Sequence, residues 1–589
     1  MDKWDLSKIF SSIEDMKRDL EKLSHLKNVF KSEYKDEIAW LDSGEMKEAL
    51  KRYAIIVSLK CKIDSYAYLL YSTNLNDEEI CSFYQATVRK LNEISKSLNF
   101  FKIELGAISG RIRNSFLPSD LFSRGEKAWL QKIVKKASHL REENIEGLLS
   151  DLDIVNESLI RFYNTTRSSE KYEIEGQVYS EGGVLSLISD EDEKIRNQAG
   201  QALAKAYDKN KELFTMIYNN LMYNRLLSSS WHKYESPEDQ AAWEDDITSA
   251  DLGNLVDVVQ ENYANVSRRY YDFKAKILGK KTISYWDRIA PYPISSKNRK
   301  YSVEEAKKII LDAFEKFSPE FAKEAQACFD ENRIDYYSYS GKDSGAYCME
   351  MPVGVKPYVF LNFNGTIGCV LTMAHELGHA VHEAWSKEQG ELGRYHSCAQ
   401  AETASIFAEQ LVFNALYEEA DTPEDKFVLL ASFVEELIAT SFRQIAFHLF
   451  EHETYKLRQM TGELSSDKLS EIWMRVMKDY LGDSVDISDI HNMWSGISHF
   501  FQYSFYVYSY CFSLCMVNLL YATYLQGNVE NFEAKYVEML KRGGVEDYIE
   551  ALAHFGIDTS PSEFWADGIK LISQYIDKLE KLASEIDWK

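Results

Sequence analysis

Proline is scarce in this 589-residue chain, with 9 in all, so long helices can run without an obligate break. Cysteine is scarce too. The 8 cysteines are scattered, with no Cys-x-x-Cys pair and no dense framework, and a chain of this length needs no disulfide staples. Free thiols and a cytoplasmic setting are expected. Basic runs are missing: the net charge is −25 and the pI near 5.1, which excludes an electrostatic nucleic-acid binder and disfavours an anionic membrane surface. The segment opening Met1-Asp2-Lys3-Trp4-Asp5 is acidic and amphipathic and does not read as a signal peptide. Residues 500–529 carry no formal charge, a length that could span a bilayer. Yet they are rich in tyrosine, include Gln502, Ser504, Ser509, Ser513, Asn518 and Gln526, and have no basic flank. They read as a buried helix beside a polar cleft, not as a membrane span. Oligomeric state is left open.

What is present is a large core supply, 45% hydrophobic and 13% aromatic, which argues for a folded chain. Leu6, Ile9, Ile13, Met16 and Leu20 recur at helical spacing, and helical patterns follow over 46–70, 77–107 and 124–164. A strand pair is expected at 172–179 and 184–188, turning at Glu181-Gly182-Gly183. Helices resume over 192–278. An irregular segment, 279–300, holds Pro291 and Pro293, and 303–317 is helical again. Residues 336–363 are aromatic and β-branched and carry Gly345, Pro352, Gly354 and Pro357; they predict a small sheet whose last strand is 358–363. After Gly368 the pattern is helical almost throughout. The expected fold is mostly α with a small β-sheet next to the helix that follows, divided into an N-terminal helical region, 1–190, and a second region, 191–589.

That helix carries the chemistry. Residues 375–379 read His-Glu-Leu-Gly-His, so two histidines at i and i+4 share one face and can converge on one ion. Val370, Ala374, Leu377, Val381 and Ala384 form an apolar stripe on another face, and Gly378 would let a neighbouring element approach closely. Catalytic zinc takes three protein ligands and keeps one position for water. Six residues beyond His379 stands Trp385, where a histidine would be needed, and the short-spacing positions hold Cys398 and Ala399, a poorer fit than Glu402. Glu402 fits, opening a segment whose buried stripe is Ala404, Phe407, Ala408 and Leu411. Glu409, seven residues on and on the same face, could orient a ligand histidine. Glu383, Glu388 and Glu391 follow His379 too closely. His382 reads as a packed histidine, and His396, His448, His452, His491 and His554 show no partner pattern.

The stretch 358–409, with Asn362-Phe363-Asn364-Gly365 before Thr372-Met373-Ala374-His375-Glu376-Leu377-Gly378-His379-Ala380-Val381-His382, resembles the oligoendopeptidase F group of the thimet-oligopeptidase-like zinc peptidases. Trp4-Asp5-Leu6-Ser7, Ser284-Tyr285-Trp286-Asp287, the segment from Lys342 to Gly345-Ala346-Tyr347-Cys348 and the His499 region resemble it as well. The resemblance implies a two-lobed helical zincin-type body with a deep channel for unstructured oligopeptides and one Zn2+ per chain. Glu376 is then the general base. If 499–510 is helical, His499, Tyr503, Tyr506 and Tyr510 share a face and Tyr508 points away. The resemblance assigns oxyanion stabilisation to a His and a Tyr here, carried to His499 and Tyr506, with Tyr503 and Tyr510 as substrate contacts. Strand 358–363, with Phe360 and Asn362, is expected to hold substrate by main-chain pairing. The expected function is a zinc metalloendopeptidase acting on short peptides; the alternatives are a zinc carboxypeptidase and a non-catalytic helical peptide-binding protein.

Overall fold

The computed structural model describes residues 3–294, 300–559 and 561–588, and the side chains of Cys398, Ala399, Pro561 and Ser562 lie outside the description. The expectation of free thiols therefore stands for seven cysteines, and Cys398 falls outside the described side chains. Of the irregular segment 279–300, residues 295–299 also lie outside. The chain is predominantly helical, and among the described residues no helix is long and apolar enough to cross a membrane.

Packing divides the chain into two compact units, each built from three separate segments. Unit 1 comprises 1–148, 298–418 and 520–557, and unit 2 comprises 149–297, 419–519 and 558–589. The sequence-based division at 190 runs along the chain, whereas these units alternate along it.

In unit 1 the amphipathic helix Ile13–Tyr34 starts at Ser12, whose hydroxyl accepts the Asp15 amide, and buries Met16, Leu20, Leu23 and Phe30. It packs in a core with Met46, Leu50 and Tyr53 of the helix Ser43–Ser72, which opens on an Asp42–Glu45 capping box. A three-stranded sheet completes the approach to the site. Its strands are β4 (Ile334–Asp335), β5 (Tyr347–Met349) and β6 (Tyr358–Phe360), ordered β4-β6-β5 with β4 parallel and β5 antiparallel to β6. Trp4 sits against Phe360 at 5.8 Å between ring centroids, and the Tyr358 hydroxyl donates to the Asp5 carbonyl at 2.8 Å. The N-terminal motif thus braces the central strand.

From this sheet the chain enters α1 (Ile367–Ser386), capped by Thr366, and returns in α2 (Cys398–Glu419). In unit 2, α3 (Gln444–Thr461) packs near α4 (Ser498–Gln502) and the start of α5 (Tyr508–Gln526). Unit 1 also contains α6 (Phe532–Lys541).

Two expectations are corrected here. The strand pair is β1 (Tyr172–Ile174) with β2 (Gln177–Tyr179), turning at Glu175-Gly176, both at positive φ, and Glu181–Leu187 is a helix capped by Ser180. The Glu-Gly pair suits a tight hairpin turn, while Gly182 and Gly183 sit in the first helical turn. Residues 499–510 are not one helix: α4 ends at Gln502 and α5 begins at Tyr508, with Phe505 in the left-handed region at φ 56°. Neither proline nor glycine marks that break.

Candidate active site

Helix α1 presents His375 and His379 on one face. Val370, Ala374, Leu377 and Val381 are buried as the stripe requires, and Ala384 is half-buried. Gly378 is where α2 comes in. A Cβ there would lie 2.6 Å from the Ala404 carbonyl oxygen and 2.7 Å from the Ser405 Cα, so only glycine allows this approach. Ala404, Phe407 and Ala408 are fully buried, which turns the opposite edge of α2, with Glu402 and Glu409, toward the histidines.

Glu402 Oε2 lies 3.2 Å from His375 Nε2 and 3.3 Å from His379 Nε2. Among the described residues His375, His379 and Glu402 are the one group with donor atoms spaced to hold a metal. A tetrahedral ion with bonds of about 2.0–2.1 Å sets its donors about 3.3 Å apart, so the spacing and the N,N,O donor set fit zinc. On the far side of His375, Nδ1 is 3.4 Å from Glu409 Oε2, leaving Nε2 to face Glu402. Burial would raise the Glu402 carboxyl, but the two imidazoles hold it well below the usual carboxylate range. Glu376, one residue along, is almost fully buried, and burial pushes its carboxyl up, opposed by the two histidines and the Cys348 amide. Its Oε2 has no hydrogen-bond partner among the described residues.

His382 is buried and stacks on His396 at 4.3 Å, and burial pulls its proton affinity well down. It is a packed histidine, as expected.

The strand expectations change. β6 is flanked on both sides, so its main chain is already paired and cannot take up a peptide. Phe360 is fully buried and stacks on Tyr347 at 4.7 Å, which makes it core. The Asn362 amide donates to the carbonyls of Asp343 and Gly345 at 3.0 and 2.8 Å and accepts from Ser338, so it braces the 338–345 loop. The strands at the sheet's edges are β4 and β5, a role their two- and three-residue lengths did not announce in the sequence.

In unit 2, His499 is the second residue of α4, and its Nε2 lies 3.2 Å from the Tyr510 hydroxyl. Its ring is 6.1 Å from Tyr506 and 5.9 Å from Tyr510, and Tyr506 is 5.4 Å from Tyr510. Burial lowers the imidazole's proton affinity, favouring the neutral ring. Tyr503 is 61% exposed. The predicted cluster of one histidine and three tyrosines exists, although a broken helix makes it. Tyr508 is fully buried and its hydroxyl donates to Asp245 at 2.8 Å, away from the cluster. Two histidines without a pattern in the sequence share a partner: Glu238 takes His448 Nε2 at 2.9 Å and His452 Nδ1 at 2.7 Å. Only the i, i+4 spacing of those histidines could have hinted at it.

The sequence profile of peptidase family M3 matches residues 186–571, well over half of the chain. The chain belongs to peptidase family M3. Among curated proteins it is 25% identical over 591 residues to an oligoendopeptidase F homolog of Borreliella burgdorferi, covering 99% of this chain and 98% of that one. It is 24% identical over 603 residues to oligopeptidase PepF of Bacillus subtilis, covering 99% and 88%. The crystal structure of oligoendopeptidase-F from Enterococcus faecium superposes with a TM-score of 0.74 at 18% identity, over 97% of this chain and 99% of that one. Within family M3 the chain falls in the oligoendopeptidase F group.

Proposed function

We propose that this M3 peptidase is a zinc metalloendopeptidase that hydrolyses internal bonds of short, unstructured peptides. The observation that carries the reading is a set of donors spaced for one tetrahedral ion, with the buried Glu376 carboxyl one residue away. His375, His379 and Glu402 would hold the ion, and Glu409 would orient His375 through Nδ1. When bound, zinc supplies Lewis acidity to the peptide carbonyl and lowers the pKa of the attacking water.

The rest is work for the protein. Glu376 has an unengaged Oε2 and a raised proton affinity, so it can take the water's proton and pass it to the leaving nitrogen. His499 and Tyr506 are assigned as hydrogen-bond donors to the oxyanion, and Tyr510, whose hydroxyl lies 3.2 Å from His499 Nε2, as a substrate contact. Tyr503, exposed, is assigned to substrate. Main-chain pairing with a peptide is reassigned from β6 to the edge strand β5. Residues 191–589 are taken as the catalytic region, a division supported by a family match that starts at 186. A cytoplasmic setting is supported by the seven free thiols.

Mass spectrometry of fragments from a peptide blocked at both ends tests the function. Internal cleavage is expected. Trimming of an unblocked peptide without cleavage of the blocked one would select a carboxypeptidase, and binding without cleavage a peptide-binding protein.

A further inference from the structure

The turn between α4 and α5 has no glycine, yet Phe505 adopts φ 56°, a region a bulky residue enters only when its surroundings hold it there. Its surroundings come from one face of α3. The Phe505 ring lies 5.8 Å from His448 and 4.9 Å from Tyr455. Between them in sequence, Glu451 is fully buried, and its Oε1 accepts the Phe505 amide at 3.0 Å. Residues 448, 451 and 455 follow helical spacing, so they form a single clamp. The Tyr455 hydroxyl also pairs with Ser504 Oγ at 2.6 Å. From another helix, Glu193–Trp231, Arg225 donates to the Gln502 carbonyl at 2.9 Å. The turn is therefore gripped at 502, 504 and 505, while the flanking Tyr503 side chain stays exposed.

We propose that Glu451 is a positioning residue for the oxyanion segment: by accepting the Phe505 amide it holds the left-handed turn that sets Tyr503 and Tyr506 relative to His499 and Tyr510. The inference rests on the reading of 499–510 given above. A non-helical buried amide needs an acceptor, and no neighbour in sequence supplies one with this geometry. Burial pushes the Glu451 carboxyl up to about 8, opposed by the Phe505 amide and Arg225 and reinforced by Glu238. Tyr218 and Tyr455 also face it, and His448 lies along the same helix face. At neutral pH the group is mainly the neutral acid, and glutamine matches it in shape and in acceptor capacity.

The experiment pairs Glu451→Met with Glu451→Gln. Glu451→Met is expected to lower kcat on a blocked peptide by ~10- to 100-fold as Tyr506 is misplaced, with a rise in KM as Tyr503 is misplaced with it. Zinc content should stay at the wild-type value. Amide hydrogen exchange should show protection lost at 503–507 but kept in α3. Glu451→Gln should restore both kcat and protection. The proposal is overturned if Glu451→Met keeps wild-type kcat and protection, or if a cooperatively melting Glu451→Gln protein behaves like Glu451→Met. Hydrogen exchange reads the clamp without turnover. A wild type that fails to cut internal bonds would thus refute the proposed function and leave the clamp to be judged on its own.

Discussion

The Tyr536 hydroxyl, on α6, donates to the Thr403 carbonyl of α2 at 3.0 Å, one residue from Glu402. Phe407, one helical turn along α2, stacks on the same ring at 4.3 Å between centroids. Tyr536 is fully buried, so α6 fixes the axial position and rotation of the helix that offers Glu402. Tyr536→Phe keeps the ring and deletes one hydrogen bond, costing about 1 kcal/mol of stability. Zinc affinity should fall severalfold, because Glu402 is then held less firmly. Denaturant unfolding and a competitive zinc titration check both.

Gly378→Ala tests the approach of α1 and α2 directly. The new methyl would meet backbone atoms of Ala404 and Ser405, which cannot swing aside as a side chain can. The helices must separate, at about 1–3 kcal/mol, and the Glu402 oxygen withdraws from His379. Lower thermal stability together with weakened zinc binding is expected; full stability with normal zinc binding would contradict the packing argument.

The broken helix sets distinct outcomes for the tyrosines. Tyr506→Phe should reduce kcat by about 10²- to 10³-fold, the loss seen for one oxyanion donor. Tyr508→Phe should leave kcat near wild type and cost about 1 kcal/mol of stability, because it removes the hydrogen bond to Asp245. Tyr503→Phe should act mainly on KM. Single-turnover kinetics and thermal melts on the three variants separate the roles.

Glu451 predicts a pH effect on stability. Its carboxyl titrates near 4.5 when exposed and is raised to about 8 in the fold. The native state therefore binds more protons between those values, and the contribution, complete below pH 4.5, is lost as pH rises through 8. Glu451→Gln lacks this term. The melting temperature of the wild type should fall relative to that of Glu451→Gln from pH 5 to pH 8.5; parallel curves would contradict it.

The candidate metal site was legible because its chemistry is local: His375 and His379 need only helical periodicity, and Glu402 needs only a return helix with a buried stripe. Helix boundaries followed where propensity and capping agree, as for 303–317, which is the helix Val303–Phe317. What escaped depends on partners distant in sequence. β6 is central because β4 and β5 flank it, which no pattern within 358–363 records. The kink at Phe505 is imposed by Glu451, 54 residues earlier, against a run that by itself favours helix. Phe360 and Asn362 carry the side chains of a substrate strand, but the Tyr347 ring and the 338–345 loop already use them.

The central claim is that Glu376 moves the proton while His375, His379 and Glu402 hold zinc. The most direct measurement is turnover of a blocked peptide by Glu376→Gln protein whose zinc content has been verified as equal to that of the wild type. The amide cannot accept the water's proton, so a folded, zinc-loaded protein with nearly all activity lost is expected. Hydrolysis at close to the wild-type rate by that same protein would contradict the account.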